Sequence, residues 1–283
     1  MKKLFTALFI CFAFVAFAQE QVPGREDLTF GTYGTFRFAP SESVNLIEKV
    51  LVQEDGKIIT VGRSLTDGEN YAIYVSRHNA DGTLDETYGE GGISFFKANP
   101  TISNSAKDAV LSDDGLLYIA GYTYDYEGNT SFILCLDEDG FEYPGFGGEG
   151  WARTYNGGGI VYEAIDVDSE GNVVVVGHLN DQLLVRRYLP NGQLDTSFGN
   201  NGTVNDAVFN SIYSYGYDVE ILEDGKIVVA GAKMDVWYDE FLIQKAYVGR
   251  LNADGSVDKS FGENGVVSLK VGEYAEFALG LNV

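Results

Sequence analysis

Residues 224–231 read DGKIVVAG, and close variants of these eight letters stand at 55–62 (DGKIITVG), 114–121 (DGLLYIAG) and 170–177 (EGNVVVVG). A second phrase follows each of them: NADGTLDETYGEGG at 79–92, DEDGFEYPGFGGEG at 137–150, LPNGQLDTSFGNNG at 189–202 and NADGSVDKSFGENG at 252–265. The end of an earlier copy, DLTFGTYG, stands at 27–34. Counted on Phe30, Tyr88, Phe146, Phe198 and Phe261, the steps are 58, 58, 52 and 63 residues. Self-similarity at such a period marks a repeat architecture, in which one supersecondary unit is stacked on its own copies.

Within the unit the local signals are those of strands. Runs such as Val173 to Val176 and Ile227 to Ala230 are short, apolar and β-branched on consecutive positions. A strand of that kind is covered on both faces. Each run follows an Asp-Gly or Glu-Gly turn and is preceded by another candidate strand, such as Lys49 to Gln53 or Tyr217 to Ile221. A third strand follows (Ala72 to Arg77, Leu184 to Arg187), and a fourth comes after the aromatic-glycine phrase, as Val266 to Leu269. Capped helical periodicity is not evident. The expectation is an all-β fold: a propeller-like array of four-stranded antiparallel blades, with four complete repeats of about 58 residues. An open β-solenoid is the alternative, but its repeats are usually much shorter.

The pairing of D-G-K-I-I-V-x-G with x-D-G-x-L-D-x-S-F-G-x-N-G resembles the delta-60 repeat, a propeller-like family of exported bacterial proteins of unknown function, over about residues 27–283. The resemblance implies a fold and export. It implies no catalytic residue. Leu279 to Val283 match the first strand of a further unit. Two expectations follow: this strand completes the first blade and closes a small ring, or the array is a fragment of a longer propeller.

The first twenty residues, MKKLFTALFICFAFVAFAQE, have two lysines, a charge-free apolar run and an Ala-x-Ala site at Ala16 to Ala18. That is the pattern of a secretory signal peptide over residues 1–18. The mature domain is then 19–283, exported to the cell surface, the medium or the periplasm, with no transmembrane segment. Cleavage moves the formal charge from -23 to -25. An acidic chain of this kind is a poor partner for nucleic acid. Only Cys135 survives processing, so no intrachain disulfide can form and stability must come from the core.

The turn phrases keep constant length, while the stretches between Gly62 and Gly82, Gly121 and Gly140, Gly177 and Gly192, and Gly231 and Gly255 vary. In a four-stranded meander that variation falls on one face, and binding residues favour variable loops on a rigid scaffold. This face carries Tyr122, Tyr124 and Tyr126 in the second unit, and Trp237 and Tyr238 in the fourth, interleaved with acids. Aromatics beside carboxylates suit sugar rings and protein hot spots. The function expected is therefore a non-enzymatic scaffold that recognises a protein or glycan through this face, with no cofactor and no metal. The alternatives are a propeller hydrolase or lyase with a metal in a central channel, or a structural segment of a larger surface protein. Asn79-x-Asp81-Gly82-x-x-Asp85 partly resembles a calcium loop, but Arg77 replaces the first ligand and the twelfth-position glutamate is missing. Turn chemistry is the better account of it. With only His78 and His178, no histidine cluster exists for zinc.

Overall fold

The computed structural model describes residues 26–124, 129–155, 159–205, 213–238, 241–269 and 280–281, with the side chains of 235–238 and 241–244 excepted. Among these there is no helix and there are sixteen strands. They form four antiparallel sheets, each a simple meander of four sequential strands: β1 to β4, β5 to β8, β9 to β12 and β13 to β16. In the first sheet these are β1 (Asn45–Val52), β2 (Ile58–Leu65), β3 (Tyr71–His78) and β4 (Ile93–Phe96). The second comprises β5 (Ser103–Leu111), β6 (Leu117–Tyr124), β7 (Thr130–Leu136) and β8 (Trp151–Tyr155). The third comprises β9 (Ile160–Val167), β10 (Val173–Leu179), β11 (Gln182–Tyr188) and β12 (Thr203–Asn205). The fourth comprises β13 (Tyr213–Ile221), β14 (Ile227–Tyr238), β15 (Phe241–Leu251) and β16 (Val266–Leu269).

Consecutive apolar letters on the second strand have a simple cause. Alternate side chains of a strand face opposite sides of its sheet, and the second and third sheets each lie between two others. Ile119 packs in one cluster with Ile59, Val61 and Val75 of the first blade. Its neighbours Tyr118 and Ala120 pack in a second cluster with Ile165, Val175 and Leu184 of the third. Val174 and Val176 face the fourth blade, where Val219, Val229 and Tyr247 meet them. The first strands of successive sheets contact one another, so they form the inner edge of the array.

The last glycine of the octapeptide has a separate role. The pairing register slips by one residue opposite Gly62, Gly121, Gly177 and Gly231, leaving Glu48, Lys107, Glu163 and Tyr217 as the extra residues of β-bulges in the first strands. A Cβ at those glycines would overlap the carbonyl oxygens of Leu46, Ser105, Val161 and Tyr215 respectively. No side chain fits there, so the position must be glycine. We expect Gly177→Ala to lower stability by about 2–4 kcal/mol. Gly115→Ala, with positive φ but nothing near its Cβ, should cost only about 1 kcal/mol. Urea midpoints of the two variants check this.

The second phrase fastens one blade to the next. Gly31 N donates to Asp81 O at 2.7 Å, Gly89 N to Asp139 O at 2.7 Å, Gly147 N to Asn191 O at 2.9 Å and Gly199 N to Asp254 O at 2.8 Å. The preceding aromatic lies against the turn of the following unit: a Cβ on Gly82 would meet the Phe30 ring, one on Gly140 the Tyr88 ring, and one on Gly255 the Phe198 ring. From its own side the aromatic of three units is covered by an arginine, with guanidinium-to-ring distances of 4.5 Å for Arg77 on Tyr88, 4.8 Å for Arg187 on Phe198 and 4.5 Å for Arg250 on Phe261. Aspartate fixes the arginine through Nε, at 2.8 Å for Arg77 to Asp85, 2.7 Å for Arg187 to Asp195 and 2.8 Å for Arg250 to Asp258. Burial raises the Asp85 carboxyl, but hydrogen bonds from Thr87, Lys57 and Arg77 outweigh it and leave it well below the usual carboxylate range. These carboxylates are engaged by turns and arginines, as turn chemistry requires. In the second unit both partners are replaced together, by Cys135 and Tyr143. Tyr88, Phe146 and Phe198 are fully buried, whereas Phe261 is only half-buried. Phe198→Ala is therefore expected to cost about 3–5 kcal/mol, and Phe261→Ala less than about 1.5 kcal/mol, in chemical denaturation.

One expectation needs correction. Asp235 to Tyr238 belong to β14 rather than to a loop, because the fourth unit uses its extra length to extend a hairpin that pairs Trp237 with Leu242 and Tyr238 with Phe241. The third unit, the shortest, closes the same hairpin with a two-residue turn, Asn180 and Asp181, at φ 50° and 64°. The first blade draws its four described strands from its own unit, and the Leu281 amide donates to Asp218 of the fourth blade.

Candidate functional site at the inner edge

The bulges set the chemistry of the inner edge. Each bulged residue stands fourteen positions before the octapeptide's last glycine. Beside it, across the hairpin, lies the residue that follows that glycine: Arg63, Tyr122, His178 or Ala232. Glu48 pairs with Arg63, Oε1 to Nε at 3.3 Å, and Arg63 Nη1 also donates to Ser105 of the second blade at 3.3 Å. Lys107 Nζ reaches Glu163 Oε2 of the third blade at 3.1 Å and stands 5.9 Å from the Tyr122 ring centre. His178 lies edge-on to Tyr215 at 5.2 Å, Tyr215 stacks parallel to Tyr217 at 6.2 Å, and the Tyr215 hydroxyl donates to Asp181 at 3.0 Å. Four blades thus contribute to one band of charged and aromatic side chains.

This band is neither surface nor core. The Lys107 and Glu163 side chains keep 28% and 19% of their exposure, enough to meet a ligand and too little for full hydration. Burial alone would lower the Lys107 ammonium, but Glu163 beside it, with Tyr122 and Glu48, holds it above its ordinary value. His178 moves the other way: burial lowers it, the carboxylates of Glu163 and Asp181 partly restore it, and Lys107 opposes them. Its Nδ1 is shut off from solvent, and no described residue hydrogen-bonds it.

Just below lies a second layer of carboxylates with a structural role. Lys49 Nζ meets Asp108 Oδ1 at 2.7 Å, while Asp108 Oδ2 accepts the Ile165 amide of the next blade at 3.1 Å. Asp166 repeats this one blade on, accepting the Ile221 amide at 2.6 Å, and Asp218 accepts that of Leu281. Burial pushes the Asp166 carboxyl up to about 6, against its hydrogen bonds from Ile221 and Val167 and with help from the charges of Glu220 and Asp108. A folded value above the unfolded one means that this group's stabilisation is complete below about pH 4 and is lost as pH rises through about 6. Asp85, Asp195 and Asp258 have the opposite sign, since their lowered values add stability that disappears as pH falls below the usual carboxylate range. The stability difference between Asp166→Asn and the parent should be small at pH 4 and grow to about 2 kcal/mol in favour of the variant at pH 7. Urea titrations across that range measure it.

Of the residues expected on the variable face, Tyr122 belongs to this band, over which its ring faces Lys107. Tyr124, two residues on along β6, is 65% exposed. Tyr126 lies outside the described residues. Trp237 and Tyr238 lie on β14, two blades away in sequence, at the far end of its extended hairpin. Glu48, Arg63, Lys107, Glu163 and Tyr217 escape a reading by loop length, since they lie in strands. Their constant spacing from the octapeptide glycine is the signal that finds them. Among the described residues no group of three or more His, Cys, Asp or Glu side chains is arranged to hold a metal ion, and no helix is long and apolar enough to cross a membrane.

Residues 53–88 and 169–198 match the family model described as a domain of unknown function (DUF5122) beta-propeller. Among solved structures the chain is similar to a GH43 endo-arabinanase from Bacillus licheniformis, at 16% identity and a TM-score of 0.37 over 79% of each chain. No curated protein matches. The expectation of a scaffold reading partners through its variable loops is corrected: the paired charged groups lie in the inner strands instead of the loops. The likeness to the endo-arabinanase concerns the fold alone and assigns no residue a role. The matching family and the four repeated meanders make the chain a propeller-type repeat protein.

Proposed function

We propose that this propeller-type repeat protein is an enzyme of the hydrolase or lyase class, working at the inner-edge band. The observation that carries the reading is the Lys107–Glu163 pair at 3.1 Å, contributed by two blades and left partly open to solvent. Glu163, beside the Lys107 ammonium, is the general base. Lys107 stabilises negative charge that develops on the substrate as the bond breaks. Glu48, whose charge also acts on Lys107, supplies the second carboxylate that hydrolysis and elimination both use to complete proton transfer. Tyr122, Tyr215 and Tyr217 offer ring faces beside these polar groups, an arrangement that suits a hydroxyl-rich substrate.

The reading is tested with a panel of polysaccharides and chromogenic glycosides and esters. Glu163→Gln and Lys107→Met should each lower kcat/KM at least 100-fold with unchanged circular dichroism and little change in Tm. Turnover that survives Glu163→Gln would sink it, as would inactivity of the parent on every substrate class.

We infer further that the repeats are of the delta-60 type and that residues 1–18 direct the chain out of the cell. The supports are the paired phrases and the Lys-Lys, apolar, Ala-x-Ala pattern of the amino end. Amino-terminal sequencing of exported protein should begin at Gln19; an intact Met1 would refute export by cleavage.

A further inference from the structure

The phrase of the second unit keeps the common backbone and changes its side chains. Glu142 bridges Leu136 as Leu84 bridges His78, Leu194 bridges Tyr188 and Val257 bridges Leu251. Where the other units carry Leu84, Leu194 and Val257, the second has Glu142. Where they carry Gly91, Asn201 and Asn264 it has Glu149, and where they carry Phe95, Asn205 and Ser268 it has Arg153. Three positions that are uncharged in every other copy are thus charged together in this one. Trp151 likewise replaces Ile93, Thr203 and Val266.

These four side chains line one cleft of about 360 Å³, with Pro144 and Gly148 completing its lining. It lies at the start of β8, the strand farthest from the inner edge of the second blade, and so is separate from the Lys107–Glu163 band. In the other units an aliphatic side chain lies over the glycine that ends the phrase, where a Cβ on Gly92, Gly202 or Gly265 would strike Leu84, Leu194 or Val257. In the second unit that place belongs to Glu142, whose Oε1 accepts the Trp151 indole N–H at 2.6 Å. This bond satisfies a buried indole and gives Glu142 a structural duty.

Glu149 and Arg153 have no such duty. Both are exposed, and among the described residues neither forms a hydrogen bond or an ion pair. Arg153 stands 4.4 Å over the Trp151 ring, a contact that leaves its guanidinium donors unused. Opposite charges therefore line one small volume without pairing. The indole offers no platform for a sugar ring, since Trp151 is only 5% exposed, with Arg153 over it and Phe132 against it at 5.5 Å. Recognition falls to the charges. A lone anion would meet two carboxylates and a lone cation would meet the guanidinium, so the ligand that suits the whole lining carries both signs. The volume is near the lower end of the roughly 300–1,000 Å³ of small-molecule pockets, which calls for a compact ligand.

We propose that this cleft binds a free apolar α-amino acid as its zwitterion. The ligand carboxylate takes the Arg153 fork. Its ammonium sits with Glu149 and the second oxygen of Glu142, and its side chain lies along Pro144. The site is independent of the catalytic reading of the inner edge.

The test uses the full chain carrying Trp237→Phe, which leaves one of the two tryptophans, so that a single indole N–H resonance reports on Trp151. Titration with L-leucine should shift that resonance in a saturable manner. Isocaproate, which lacks the ammonium, and isopentylamine, which lacks the carboxylate, should each bind at least about tenfold more weakly. Arg153→Gln and Glu149→Gln should each weaken L-leucine binding at least about tenfold with Tm unchanged. Arg153→Lys, which keeps the charge and loses the fork, should weaken it too. Calorimetry on the unsubstituted chain measures the L-leucine affinity independently. Absence of saturable L-leucine binding by both methods overturns the proposal. So does equal binding of either analogue, because the cleft would then read a single charge, and so does full affinity in Arg153→Gln or Glu149→Gln.

Discussion

The close approach of a first-strand carbonyl to the last glycine of each octapeptide is the contact on which the remaining structure depends. Leu46, Ser105, Val161 and Tyr215 present their oxygens where any side chain would stand. Because that oxygen crowds in, the inner strand carries one residue more than its partner and bends. The extra residue then emerges beside the residue that follows the glycine. Without the bulge, a one-residue slip would turn every later side chain of the strand to the opposite sheet face. Val50, Ala109, Ile165 and Val219 would exchange places with their polar neighbours. A single steric fact therefore links the repeated octapeptide to both the core and the band of charged residues.

A second constraint fixes order along the array. The aromatic of one unit lies on the turn glycine of the next and is clamped from behind by its own Arg–Asp pair. The pair behaves as one object, since the unit that lacks the arginine also lacks the aspartate. Cys135, which stands in the arginine's place, is buried, and burial together with nearby acidic groups pushes its thiol up to about 12 despite the Tyr118 hydrogen bond. It fills space in the core between the second and third blades. The glycine at the turn likewise serves two purposes, adopting positive φ and leaving room for a neighbour's ring.

Much of this fold was legible in the letters, and the reasons are local. Consecutive Val173 to Val176 announced a strand covered on both faces, and the sheets on either side of it supply that cover. Asp-Gly turns fixed the hairpins. Loop length proved a weaker guide than strand register, because Trp237 and Tyr238 lengthen a hairpin instead of a loop. The band of Glu48, Lys107, Glu163 and Tyr217 was hidden by its variety. Acid, base, acid and phenol at one structural position look unrelated until the bulge aligns them. Asp108 and Asp166 were concealed differently, since in a chain with 42 acidic residues two more carry no information until their oxygens are seen on a neighbour's backbone.

Among the described residues the fastening between blades runs forward: the Gly31, Gly89, Gly147 and Gly199 amides each reach a turn of the later unit. This gives the array a direction in time as well as in space. As the polypeptide emerges amino end first, each sheet can pair its own strands at once, yet its aromatic finds its seat only when the following turn has been made, roughly one repeat later. Tyr88, Phe146 and Phe198 are thus each exposed for the time needed to synthesise one unit, and the growing tip always presents a single open aromatic.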